Sequence, residues 1–148
     1  MDDTARFARN AGWILLLGGL LKLLVAFGYV GYVFRAAPSD VRGFSVASAM
    51  LLAVPIAGYG AYDLGAGIAV RRGMVIGRVL GFLSGAFGAL AFCGLGLTGL
   101  SALISYAIGS GPAGALIGAA MLASIALGAV VNVYLLSALW KGGDALKG

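Results

Sequence analysis

Apolar residues run almost unbroken through four stretches of the chain, at about 11–34, 44–70, 79–108 and 114–140. Each exceeds the roughly 20 residues that a helix needs to cross a hydrocarbon core. Polar and turn-forming residues interrupt them in three places: RAAPSDVRG at 35–43, RRGMVIGR at 71–78 and GSGPAG at 109–114. Unpaired backbone N–H and C=O groups are too costly in lipid for irregular spans, so the stretches predict helices. They are too long and too continuous for barrel strands, which alternate over about ten residues. The pattern predicts an all-α membrane protein, a single four-transmembrane-helix bundle occupying residues 1–148. The third run is long for the bilayer, since about 28 residues rise roughly 42 Å. CGLGLTG at 93–99 is its expected weak point, and Pro55 is expected to kink the second run.

Lysine and arginine placement predicts the orientation. Arg6 and Arg9 precede the first run, Arg71, Arg72 and Arg78 lie in the second break, and Lys141 and Lys147 follow the fourth. Only Arg35 and Arg42 fall on the opposite side. Both termini are therefore expected in the cytoplasm. Trp13 and Trp140 would lie at the cytoplasmic interface, and Tyr32, Phe34, Phe44 and Tyr106 near the outer one. MDDTARFARN is a weak signal-peptide n-region and the run after it is longer than an h-region, so the first span is expected to stay uncleaved.

Composition sharpens this picture. Charged residues make up 10% of the chain, against about 25% in soluble proteins, so the bilayer explains the apolar excess. The net charge of +5 does not imply nucleic acid, because the basic residues flank apolar runs as anchors do. There is no Glu and no His, and Cys93 is the single cysteine. That excludes an intrachain disulfide, a CxxC redox pair and a four-thiolate metal site. No nucleophile–base constellation is visible, so neither an enzyme nor a cofactor is expected.

Glycine is abundant, at 26 residues. Gly81 and Gly85 in GFLSG, and Gly114 and Gly118 in GALIG, are GxxxG patterns that allow helix backbones to approach closely in lipid. They serve either packing within one bundle or contact with a partner or a second copy. An offset of 69 residues aligns Arg9 with Arg78, Gly12 with Gly81, Gly19 with Gly88 and Asp63 with Asn132, which fits either two parallel hairpins or chance agreement in a chain dominated by Ala, Gly and Leu.

Lys22 lies in the middle of the first run, in LLLGGLLKLLVAFG. An unpaired charge there is costly, so the lysine must snorkel, be neutral or have a partner. Depth counted at 1.5 Å per residue puts Lys22, Asp63 and Asn132 in one layer. Ser84 falls nearer the cytoplasm. Gly18 and Gly19 share the face of Lys22, and Gly60 and Gly67 that of Asp63, which turns both polar groups toward the bundle. We expect a Lys22–Asp63 pair with Asn132 completing its hydrogen bonds. Such a pair either fixes helix register or forms an ion, proton or polar-substrate site. Arg71, Arg72 and Arg78 either anchor the topology or contact anionic headgroups or a partner.

The stretch YGAYDLGAGIAVRRGMVIGRVLGFLSG, with LGAVVNVYLLSALWKG, resembles a pattern in uncharacterised bacterial four-helix integral membrane proteins. Gly67, Arg71, Arg72, Arg78 and Asn132 stand in the matching places, whereas Ile76 and Gly77 replace the usual aromatic before the arginine of the turn. That resemblance implies a multi-pass protein of the bacterial plasma (inner) membrane. GGLLKLL and Asp63 also resemble the first two helices of DoxX-like proteins, which implies an accessory role beside an oxidoreductase. The expected function is a non-catalytic accessory or structural subunit of a larger membrane complex, with a membrane protein or a second copy as partner. The alternative is a small oligomeric transporter or channel using the Lys22, Asp63 and Asn132 layer.

Overall fold

The computed structural model describes residues 3–91 and 111–145. These form α1 (Asp3–Ala36), α2 (Arg42–Arg71), α3 (Val75–Ala91), α4 (Gly111–Lys141) and a 3-10 turn (Gly143–Ala145). Among the described residues, α1, α2 and α4 are long and apolar enough to cross a membrane. The expected continuation of the third run to 108, the weak point at 93–99, Tyr106 and the third break up to residue 110 lie outside the described residues. The helices overrun the apolar stretches: α1 starts eight residues before the stretch at 11–34, and α2 is continuous through Pro55.

The connection between α2 and α3 is shorter than the pattern suggested. Instead of an eight-residue break, the chain turns over Arg72, Gly73 and Met74. Gly73 has φ +75°, the left-handed conformation that glycine adopts without strain. Its N–H donates to Val70 O and the N–H of Met74 donates to Ala69 O, both at 3.0 Å. This pair of bonds is the Schellman closure of a helix C-terminus. It lets α3 start at Val75, four residues earlier than the apolar run at 79. Gly77, which reads as part of a turn, is in fact in α3 and packs directly on the backbone of Ala69 and Val70.

α1 and α2 run antiparallel with their backbones nearly touching. A methyl group on Gly19 would sit 2.6 Å from the Gly60 carbonyl oxygen, and one on Gly67 would sit 2.9 Å from that of Gly12. The glycines recur every seven residues on both helices, the spacing of a seam that winds left-handedly. Ala26 and Ala53 continue it one heptad further and are buried. α3 packs its glycines against side chains of α4 instead, with Gly81 on Leu139, Gly85 on Leu135 and Leu136, and Gly88 on Asn132. Gly118 is buried on α4, and the surroundings of Gly114 lie outside the described residues.

The core gathers at the end of the bundle where α1 begins and α2 and α4 finish. It contains Ala8, Ala11, Leu15, Ala66, Val70, Leu135, Ala138 and Leu139. Most buried apolar residues are alanines, whereas Phe27, Phe44, Leu51 and Leu90 are exposed. A water-soluble domain buries its large apolar side chains. Here small residues make up most of the buried set and many large ones face outward, which suits helix packing in lipid.

Candidate functional site

The glycine seam determines which polar groups meet. With Gly19 on Gly60, Lys22 and Asp63 each stand three residues further on, in opposite directions along the antiparallel pair; helix side chains lean back toward their N-termini, so the two converge beside the seam. Lys22 Nζ forms an ion pair with Asp63 Oδ2. The Asp63 side chain is 3% exposed and that of Lys22 32%, so the carboxylate is the enclosed partner. Ser84 Oγ on α3 donates to Asp63 Oδ1 at 2.5 Å. Both carboxylate oxygens are thus occupied, each from a different helix.

Two tyrosines extend the cluster. Tyr59, one turn before Asp63, donates from its hydroxyl to Ser84 O at 2.7 Å and lies 3.2 Å from Ser84 Oγ. Its ring lies under the ammonium of Lys22, 4.5 Å from the centroid, within reach of a cation–π interaction. Tyr62 donates to Leu80 O at 2.9 Å. Both bonds clamp α2 to α3, and the rings stack with centroids 6.4 Å apart.

Asn132 does not join the pair. Its Nδ2 donates to Gly128 O at 2.7 Å, one turn back on its own helix, and its carboxamide packs on Gly88. The expected completion of the hydrogen bonds is not made. A helical Asn can satisfy itself on the i−4 carbonyl, and Ser84 rather than Asn132 bonds the second carboxylate oxygen.

Ser84 is the residue that depth counting leaves out. Counted from 79 it lies only five residues into its helix. Counted from the true start at Val75 it lies nine residues in, roughly 13 Å deep, level with Asp63. The signal was available in Gly81, Gly85 and Gly88, which mark the packed face on which Ser84 also lies. Tyr59 could have been found as the i−4 neighbour of Asp63.

A cavity of about 350 Å³ opens beside the cluster. Leu15 and Leu21 of α1 and Leu127 and Val131 of α4 form much of its apolar wall. Lys22, Asp63, Ser84 and Asn132 all border it, so the layer expected from sequence does meet around one space. Gly18 borders it too; a methyl there would meet only Lys22 Nζ, at 3.7 Å, so Gly18 is a cavity residue rather than a helix contact.

The arginines of the second connection diverge. The guanidinium of Arg71 stacks on Trp13 at 4.3 Å, and its stem crosses Gly12. The guanidinium of Arg78 lies 5.8 Å from the ring centroid of Phe82 and rests against Gly143. Both tie helix ends together within the chain. Arg72 caps α2 and is exposed. Among the described residues no group of His, Cys, Asp or Glu could hold a metal ion. No family model, curated protein or solved structure matches this chain.

Proposed function

We propose that this chain is a non-catalytic membrane subunit with four spans and both termini in the cytoplasm of a bacterium, working as an accessory or structural part of a larger complex. The observation that carries the reading is the internal closure of the polar cluster. Lys22, Asp63, Ser84 and Tyr59 each bond within the cluster, and no buried side-chain polar atom among the described residues lacks a partner. A charge pair so enclosed fixes the register of α1, α2 and α3, a role attested for buried polar groups. The outward faces, rich in Leu, Val and Phe, are suited to lipid and to neighbouring helices. The orientation is supported by Arg9, Arg72, Arg78 and Lys141, which lie at the end of the bundle that holds the core.

The test is gentle extraction at native expression followed by native mass spectrometry. The expected result is a stoichiometric membrane-protein partner. Recovery only as a monomer or homo-oligomer would overturn the subunit reading. Cysteine labelling at positions 40 and 144, with Cys93 replaced, is expected to place them on opposite sides of the membrane. Labelling from the same side would refute the topology.

A second reading, a small oligomeric transporter, is favoured by the cavity that reaches Lys22 and Asp63. It requires a substrate-dependent change in accessibility at those residues. The mainly hydrocarbon wall and the occupied carboxylate weigh against an aqueous path.

A further inference from the structure

We propose that the cavity between α1 and α4 binds a neutral, lipid-like molecule whose carbonyl oxygen accepts hydrogen bonds from Lys22 and Asn132. Its volume, about 350 Å³, falls at the small end of the range for ligand sites, roughly 300–1,000 Å³. Such sites combine apolar walls with a few convergent polar groups, as here.

The spare hydrogen-bonding capacity defines the ligand. Asp63 accepts from Lys22 and from Ser84, one bond on each oxygen. Ser124, also on the wall, donates to Ala120 O. The ammonium of Lys22 carries three N–H groups and the carboxamide of Asn132 two. One from each is committed, to Asp63 and to Gly128 O. Two N–H groups on Lys22 and one on Asn132 are thus spare, beside acceptor capacity on Asp63 and Asn132 Oδ1; unmet donors on a charged ammonium cost more than unmet second lone pairs, so a ligand that accepts gains most. Lys22 and Asp63 cancel in charge, so an anionic head would leave a net charge among Leu15, Leu21, Leu127 and Val131, which is unfavourable. A neutral carbonyl on a hydrocarbon body meets both conditions. An acyl ester and a long-chain ketone both provide it.

The test uses the full chain in nanodiscs and a photoreactive diazirine derivative of methyl laurate. The labelled peptides are mapped by mass spectrometry, with methyl laurate, 2-tridecanone, sodium laurate and dodecane as competitors. Label is expected in the segments 14–22 and 124–135. Methyl laurate or 2-tridecanone should compete at least tenfold better than dodecane, and the better of the two identifies the source as ester or ketone. Gly18→Leu, which fills the cavity, should cut labelling at least fivefold, and Leu127→Trp should do so if that variant does not fold. Gly28→Leu, where the added side chain meets open space, should leave labelling unchanged. Asn132→Leu should reduce the preference for carbonyl over dodecane. Equal competition by dodecane, stronger competition by laurate, or label spread evenly over Leu51, Leu52 and Phe27 would overturn the proposal.

Discussion

Removing the two partners of the ion pair one at a time should not cost the same. Lys22→Met leaves the Asp63 carboxylate, 3% exposed, with Ser84 as its remaining partner. Breaking a buried pair from one side costs about 3–5 kcal/mol, and the enclosure of Asp63 puts this variant inside that range. Asp63→Leu leaves the ammonium on a long flexible stem. It keeps its place over the Tyr59 ring, worth about 1 kcal/mol, and its long stem can extend toward the N-terminal end of α1. We expect that variant to lose about 1–2 kcal/mol, discounting the pair value for this escape. The double variant removes both charges and leaves Ser84 with Tyr59 at 3.2 Å. Replacement of a whole buried pair by apolar residues is often neutral, so its loss should be about 1 kcal/mol. The coupling is then about 3–6 kcal/mol, read as a double-mutant cycle from SDS unfolding in mixed micelles. A double variant that loses the sum of the singles, or an Asp63→Leu loss larger than that of Lys22→Met, would refute the reasoning.

Four further outcomes follow from the packing and its bonds. Gly19→Leu would drive a side chain into Gly60 O and Leu64 N, at 2.6 and 2.9 Å. Backbone atoms cannot rotate away, so the loss should be at least about 3 kcal/mol. Gly28→Leu, in open space, should stay within about 0.5 kcal/mol in the same unfolding assay. Ser84→Ala removes the donor on Asp63 Oδ1 and should cost about 1.5–3 kcal/mol, the range for bonds to a charged group. Gly73→Ala forces a Cβ into φ +75° and should cost about 1–2 kcal/mol, with Gly73→Asn milder; equal stability of the two would argue against a left-handed turn.

The helices were legible because lipid-length apolar runs leave few alternatives. Their ends were not, because local chemistry sets them. RRGMVIGR carries the marks of a long turn, but a single glycine in the left-handed region closes α2 within three residues. That local event moves Ser84 just over a turn deeper and so changes who bonds to Asp63. Lys22 and Asp63 could be matched because each sits on a glycine-bearing face, and the seam through Gly19 and Gly60 makes those faces meet. Asn132 shared the depth but not the bond, since depth says nothing about whether a side chain satisfies itself on its own helix. Gly12 belongs to the seam as firmly as Gly19, yet it stands near the start of the run, where periodicity has little neighbouring sequence to act on.

The seam between α1 and α2 also bears on how the chain enters a membrane. Lysine or aspartate at the centre of an inserting helix each adds about 2.5–3.5 kcal/mol. Lys22 emerges from the ribosome 41 residues before Asp63, an interval of roughly 2–8 s at ordinary rates of synthesis. Through that interval the lysine must be carried by the leucines around it. When α2 arrives, the glycine faces close and the two charges become one neutral hairpin. That hairpin, rather than either helix alone, is then the surface on which α3 and α4 assemble.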